Sequence, residues 1–328
     1  MSDQVYTLRI QRNSRQDDGT LETRWQTFTV KSQPLTPVLQ LLEEIKGHQD
    51  GSVTFRQSCR SAICGSCAIR IGGKTRLACK THIGDVVDSE NTVEIAPQQN
   101  APVIKDLVVD ISTFFGKVHE IHPYLEEGPE TGDVSDPTAF DQVNHVTQCI
   151  MCGCCYSDCT VAEVSDDFLG PAALAKAFRF VSDPREGHKS DRLKTLSKDH
   201  GMWSCSRCTM CVAVCPKDVK PMEAIVKLRT RAMDQGETNS PGAKHAQAFH
   251  GDIVKNGNLN EAFLLHRTLG VMGSIGEMGA ALHLLRKGKI PSPFPHRIEN
   301  LDEVKAIYDH LEKNPLDVET KAQPADPE

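Results

Sequence analysis

The sequence predicts an α+β chain on three observations. The first hundred residues alternate polar and apolar side chains with a period of two. Beyond Pro102 the pattern switches to helical periodicity, and thirteen cysteines gather in three tight groups. In order, Tyr6, Leu8 and Ile10 face one way on a first strand. Gln26, Phe28 and Val30 alternate with Trp25, Thr27 and Thr29 on a second, and Asp17-Asp18-Gly19 marks the turn between them. Leu35, Val38, Leu39, Leu41, Leu42 and Ile45 then give helical spacing over residues 36–46, with Gly47 as the stop. A cysteine loop follows, and later strands are expected over residues 68–71 and 92–95. Two strands, a helix, a loop and further strands describe a β-grasp domain over residues 1–104.

Helices are expected next over residues 106–115, then after a Gly/Pro-rich loop at 128–137 over 171–182 and 222–233. The second of these carries Pro171 at its start and presents Leu174, Ala175, Phe178 and Val181 on one face. They define a helical domain over residues 105–235 that carries the other two cysteine groups. Residues 236–328 contain no cysteine and form a helical C-terminal extension, with helices expected over 243–255, 260–269, 279–286 and 302–312. Gly270, Gly273, Gly276 and Gly279 break any single long helix there. No preceding strand or Walker Lys-Ser/Thr supports a phosphate loop, so a helix–helix corner is the reading. The final residues 320–328, rich in Pro, Ala and acid, are expected to fray.

Composition excludes several classes. The 37 Lys+Arg against 44 Asp+Glu give a net charge of −7, which lacks the footprint of a duplex DNA binder. Aromatics at 5% argue against a stacking platform for single strands, so no nucleic-acid partner is expected. No stretch approaches 18 uninterrupted apolar residues, so no transmembrane span is expected. Met1-Ser2-Asp3-Gln4 has neither a basic n-region nor an apolar h-region, so Sec-type export is not expected.

In such a chain thiols are read as metal ligands before disulfides. The first group is Cys59-x4-Cys64-x2-Cys67 with Cys79 after eleven intervening residues, the plant-type spacing for a [2Fe–2S] cluster. Gly65 and the small Ser61, Ala62, Ser66 and Ala68 let the loop close and aim N–H groups at sulfur. Zinc sites usually pair two C-x2-C halves, and the x4 step fits them poorly. The other groups are Cys149-x2-Cys152-x2-Cys155-x3-Cys159 and Cys205-x2-Cys208-x2-Cys211-x3-Cys215-Pro216, the bacterial two-cluster run stated twice. In that arrangement the fourth cysteine of each run crosses over. One [4Fe–4S] cluster would take Cys149, Cys152, Cys155 and Cys215, and the other Cys205, Cys208, Cys211 and Cys159. Cys154 is left over, as a small packing residue. No acid–base or nucleophilic constellation stands out, and His82 and His145 near the loops read as surface or packing residues.

Ser58-Cys59-Arg60-Ser61-Ala62-Ile63-Cys64-Gly65-Ser66-Cys67-Ala68 and Arg76-Leu77-Ala78-Cys79-Lys80-Thr81 resemble the iron–sulfur subunit of succinate dehydrogenase and fumarate reductase. So do Pro102-Val-Ile-Lys-Asp-Leu-Val-Val-Asp110, Pro123-Tyr124-Leu125, Gly170-Pro171-Ala172 and Cys211-Val-Ala-Val-Cys215-Pro216-Lys217. The resemblance covers about residues 1–235. It implies an FAD-containing flavoprotein partner that handles succinate, with the [2Fe–2S] domain facing the flavin and electrons relayed singly from there. In most of the family a non-Cys residue at the second position of the last group leaves a [3Fe–4S] cluster. Cys208 restores that ligand here, so [4Fe–4S] is implied, reverting to [3Fe–4S] if Cys208 does not ligate. Quinone-reducing members carry Pro, Trp and His where this chain has Thr160, Val164 and Ser206, so the standard quinone pocket is not implied.

These departures resemble the non-classical branch in which a subunit with cysteine-rich CCG domains replaces the membrane anchors. Gly257-Asn-Leu-Asn-Glu-Ala262 and Leu284-Leu-Arg-Lys-Gly-Lys-Ile290-Pro291 are similar to a heterodisulfide reductase subunit that contacts such a partner. The resemblance thus implies a cytoplasmic protein held at the inner face of the membrane by partner subunits, passing electrons toward quinone or a CCG-domain subunit. A relay for a thiol/heterodisulfide-linked fumarate reductase, or for another flavin-linked dehydrogenase, is the alternative.

Overall fold

The computed structural model describes residues 3–314 apart from 17, 133–136, 199, 290, 293 and 295–296. Thus Asp17 of the expected turn, part of the 128–137 loop and the tail at 320–328 lie outside the described residues. The chain divides into two compact units, Met1–Arg192 with His200–Leu228, and Leu193–Asp199 with Arg229–Glu328.

The first unit opens with the antiparallel hairpin β1 (Gln4–Arg15) and β2 (Leu21–Ser32). Helix α1 (Val38–His48) follows, then β3 (Ala68–Ile71), β4 (Lys74–Leu77) and β5 (Thr92–Ala96). The sheet order is β2-β1-β5-β3-β4, with β1 and β5 parallel, and this is the β-grasp arrangement the sequence predicts. Tyr6, Leu8, Ile10, Phe28 and Val30 bury their alternating face against Val38, Leu39, Leu41, Leu42 and Ile45 of α1. Each such side chain contributes about 1.5–3 kcal/mol relative to exposure.

Helix α1 starts two residues later than expected because Pro37 is extended (φ −61°, ψ 140°), which leaves Leu35 outside it and exposed. Its first free amides, Val38 and Leu39, donate to the carbonyls of Thr81 and Ala78, so the Cys79 segment caps the helix. The helix also runs through Gly47 rather than stopping there.

The expected helix over residues 106–115 does not form as such. Val103–Lys105 (β6) and Val108–Val109 (β7) make a two-stranded ribbon turning at Asp106, whose φ is +47°. The Asp106 carboxylate accepts from Arg12 Nε (2.9 Å), Thr54 N (2.9 Å) and Asn13 N (3.3 Å), which fixes the ribbon to the sheet domain. Only then does α2 (Ser112–Glu120) begin, with Asp110 accepting from the Ser112 amide at 2.9 Å.

The cysteine-bearing helical part contains α3 (Pro137–Thr147), α4 (Cys154–Ser157), α5 (Thr160–Val164) and α6 (Pro171–Val181). After α7 (Lys189–Leu196) come α8 (Met210–Ala213) and α9 (Pro221–Asp234). Helix α6 is the hub: Leu174, Ala175, Phe178 and Val181 are all buried, and α2, α3 and α4 pack on it. Gly170 at its N-terminus has φ +85°, and a Cβ there would come within 2.7 Å of the Tyr156 ring.

The second unit carries α10 (Pro241–Asn256), α11 (Glu261–Gly276), α12 (Met278–Arg286) and α13 (Leu301–Lys313). Of the four glycines expected to break the chain, Gly270 does so, with non-helical φ 72° and ψ −173°, and a second break lies at Glu277. Among the described residues, no helix is long and apolar enough to cross a membrane.

Candidate iron–sulfur cluster sites

The loop of residues 58–67 is shaped by left-handed backbone at Arg60, Ala62 and Gly65 (φ +57°, +55° and +73°). This turns successive amides inward: Ser61, Ile63 and Cys64 N–H point at Cys59 Sγ (3.3–3.4 Å) and Ala62 N–H at Cys79 Sγ (3.3 Å). Amides aimed at sulfur favour the thiolate over the thiol, which is the form that binds iron. The Ser66 hydroxyl, 3.2 Å from Cys64 Sγ, brings that exposed thiol down to about 6. Burial pushes Cys67, at the start of the sheet, up to about 12.

The two later runs share one backbone pattern. The second residue after the first cysteine (Met151, Arg207) and the residue after the second cysteine (Gly153, Thr209) are all left-handed. Each run then enters a one-turn helix, α4 or α8, and these two helices pack together. Cys208 thus stands in its loop as Cys152 stands in the other.

Cys149, Cys152, Cys155 and Cys215 line one cavity, together with Cys154, Phe114, Ile150 and Pro216. Cys159, Cys205, Cys208 and Cys211 line a second, together with Phe168 and Ile225. The fold therefore brings together the two quartets expected from the sequence, each with its fourth thiol from the other run. Amides point inward here also, Val219 N–H at Cys215 Sγ (3.3 Å) and Arg207 N–H at Cys205 Sγ (3.4 Å). Burial raises the Cys149, Cys155 and Cys159 thiols and takes Cys211 up to about 12. Against the effect of burial, the Met210 amide and the Thr160 and Ser206 hydroxyls lower Cys208. Walls that are apolar and donors that are soft thiols suit a group with sulfide-bridged iron.

Cys154 is fully buried in the wall of the first cavity, next to Cys155. His145 is also packed, its ring 6.4 Å from Phe178, and burial lowers its pKa. His82 sits in the turn after Cys79, 3.4 Å from Asp85.

A set of polar residues not picked out from the sequence holds the second run against the sheet. Gln98 Nε2 donates to the carbonyls of Ala68 (2.9 Å) and Cys152 (3.3 Å), and Asn100 Nδ2 to those of Tyr156, Ser157 and Cys159 (2.8–3.1 Å). Thr75 of β4 bonds Asp158 through its amide (2.9 Å) and hydroxyl (2.5 Å). The polar tract Gln98-Gln99-Asn100 beside Pro102 was the available signal. At the same seam Gly65 lies directly against Cys152: a Cβ on Gly65 would fall 2.7 Å from Cys152 Cβ and 2.9 Å from its Cα.

Residues 7–116 match the model of a 2Fe-2S iron-sulfur cluster binding domain, and residues 145–219 that of a 4Fe-4S dicluster domain. The chain is 35% identical to the 8-methylmenaquinol:fumarate reductase iron-sulfur subunit of Wolinella succinogenes, over 77% of this chain and 82% of that one. It is 40% identical to the fumarate reductase iron-sulfur subunit of Mycobacterium tuberculosis, over 63% and 86%. With the succinate dehydrogenase iron-sulfur subunit of Coxiella burnetii it shares 32% identity over 61% and 86%. The Wolinella match is longer than the first 235 residues alone can supply, so it takes in part of the C-terminal extension. Among solved structures, a chain of the Mycobacterium smegmatis Sdh1 complex in the apo form shares the fold, with a TM-score of 0.61 and 23% identity over 71% of this chain and 97% of that one.

Proposed function

Because the chain belongs to the iron–sulfur subunit family of succinate dehydrogenases and fumarate reductases and carries electrons through its 2Fe-2S and 4Fe-4S domains, we propose a specific wiring of its thiols. Cys59, Cys64, Cys67 and Cys79 hold a [2Fe–2S] cluster; Cys149, Cys152, Cys155 and Cys215 hold a first [4Fe–4S] cluster; Cys205, Cys208, Cys211 and Cys159 hold a second. The observation that carries this reading is that each later quartet lines a single cavity. When bound, thiolate-ligated iron clusters take up and give up electrons one at a time, which splits the pair delivered by a flavin.

The chain's own residues set the route. Of the thirteen cysteines only Cys64 and Cys208 are exposed, which supports entry at the first loop and exit at the last. Exposed Ile63 beside Cys64 marks the face for the FAD-containing flavoprotein. The Gly65–Cys152 contact joins the first loop to the second, and α4 against α8 joins the second to the third. Apolar walls exclude water, and inward N–H groups hold negative charge on sulfur. At the exit, Thr160 and Ser206 border Cys208, with the Thr160 hydroxyl 3.9 Å from its sulfur, and Val164 further along α5 is 82% exposed. An open surface of this kind suits docking of a CCG-domain subunit, through which the chain sits at the inner face of the cytoplasmic membrane. The wiring follows domains at residues 1–104 and 105–235, with residues 236–328 as the partner-docking extension.

The test is Cys208→Ala in anaerobically purified full-length protein. Iron should fall from about ten atoms per chain to about nine, as expected for 2Fe, 4Fe and 4Fe centres losing one iron. An oxidised-state three-iron EPR signal should appear. An unchanged spectrum and iron count would remove Cys208 from the ligand set, and succinate-independent bleaching in the flavoprotein complex would remove the succinate link.

A further inference from the structure

Every residue of helix α12 is exposed among the described residues, and α11 before it, its one neighbour with more than slight contact, contributes no buried residue. Beyond the Gly270 bend, Val271, Ile275, Met278, Leu282 and Leu285 recur at alternating steps of four and three residues. That spacing lines them along one helical face, and each is 53–61% exposed. Glu277, with φ −92° and ψ 4°, separates the two helices, so Val271 and Ile275 lie at the end of α11 and Met278, Leu282 and Leu285 on α12. Met272 (82% exposed) adds apolar surface on α11.

The charge beside this stripe runs against that of the rest of the molecule. Between Glu277 and Glu299 the sequence has no Asp or Glu, while Arg286, Lys287, Lys289 and Arg297 are all basic, in a chain whose net charge is −7. An acidic protein is repelled by an anionic surface unless a local patch reverses the sign, and here the reversal adjoins the exposed apolar face. An apolar stripe with Leu and Met anchors beside a Lys/Arg cluster is the pattern of a helix that lies in the plane of a lipid interface. At 1.5 Å per residue, the six residues of α11 beyond the Gly270 bend extend about 9 Å and the nine of α12 about 14 Å, enough to lie along a bilayer and too few to cross it.

We infer that the face formed by Val271, Ile275, Met278, Leu282 and Leu285, with Arg286, Lys287 and Lys289 at its end, rests directly on an anionic lipid bilayer. The protein thus contacts the membrane through its own chain, in addition to any partner. This contact does not rest on the cluster assignments, because it lies in the cysteine-free unit.

The experiment is vesicle flotation of the full-length, cluster-containing protein. Vesicles of phosphatidylglycerol mixed with phosphatidylcholine are compared with vesicles of phosphatidylcholine alone. Binding is expected to the anionic vesicles and to weaken with salt. Leu282→Glu combined with Leu285→Glu should lower the partition coefficient by more than about 100-fold. Arg286→Gln, Lys287→Gln and Lys289→Gln together should lower it by about 100-fold, at about fivefold per basic residue. These positions are exposed, so an unchanged visible spectrum checks the fold. Leu285→Trp supplies a second readout, a blue-shifted emission on the anionic vesicles. Absence of flotation by the unaltered protein, or flotation undiminished by the paired Leu→Glu variant, overturns the inference. A dimer in solution that the same variant dissociates, without vesicle binding, would overturn it too and assign the face to a second copy.

Discussion

Replacing Gly65 by alanine probes the seam between the first cysteine loop and the second. Two effects add. At φ +73° an L-residue is held in left-handed backbone, at about 1–2 kcal/mol. The new methyl would also sit 2.7 Å from Cys152 Cβ and 2.9 Å from Cys152 Cα, and one of those partners is backbone, so the loops must part. Overpacking of this kind costs about 1–3 kcal/mol. The sum is about 2–5 kcal/mol, which for a unit of this size lowers the apparent thermal midpoint by roughly 5–20 °C. Gly73→Ala is the internal control, because Gly73 has φ +81° with nothing within 4 Å of its would-be Cβ. It carries the backbone effect without the clash. Differential scanning calorimetry at a fixed scan rate on both variants, with iron content monitored, measures the difference. If Gly65→Ala and Gly73→Ala shift the midpoint equally, the direct contact of the two loops contributes nothing, and the proposed junction between the first two clusters loses its structural basis.

Asp106→Ala should destabilise the first unit by about 3 kcal/mol, because it strands the Arg12 guanidinium, whose side chain is 7% exposed, with Asp50 as its remaining anion. Urea unfolding checks this, and a loss under about 1 kcal/mol would refute it. Asp50 carries a pH signature. The Ser52 hydroxyl and amide, then Arg12, hold its carboxylate well below the usual range. A depressed folded pKa stabilises fully above the unfolded value of about 3.9 and progressively less as pH falls through it. The unaltered protein should therefore exceed Asp50→Asn in urea midpoint at pH 7, with the gap beginning to narrow below about pH 5 and closing only as pH falls through the depressed folded value. A gap independent of pH would show that the charge is not what Asp50 contributes.

The sheet domain was legible because its burial follows the alternation: Tyr6, Leu8, Ile10, Phe28 and Val30 are all at most 6% exposed. That each later run contributes a thiol to the other's cavity was legible because the two runs repeat a spacing whose pairing pattern is known. Less legible was whatever depends on partners distant in sequence. Leu107, Ile111 and Phe114 mimic helical spacing, yet Asp106 finds Arg12, Asn13 and Thr54 and turns the chain into a ribbon first. Strand β4 escaped notice because Lys74–Leu77 is short and charged, although Thr75 is fully buried against Ser157 and Asp158. Gly47 reads as a stop but stays helical, since α1 is held by its buried face and by capping carbonyls from residues 78 and 81.

The exchange of fourth thiols between the two later runs has a consequence for biogenesis. Cys159 precedes Cys205 by 46 residues, and Cys215 follows Cys149 by 66, so neither cavity is complete until the ribosome has delivered both runs. Each half thereby acts as a latch on the other. Under the proposed wiring the pair would be matured together rather than in turn, and loss of iron from one member would loosen its sibling, so that partial damage would expose the whole module to proteolytic quality control.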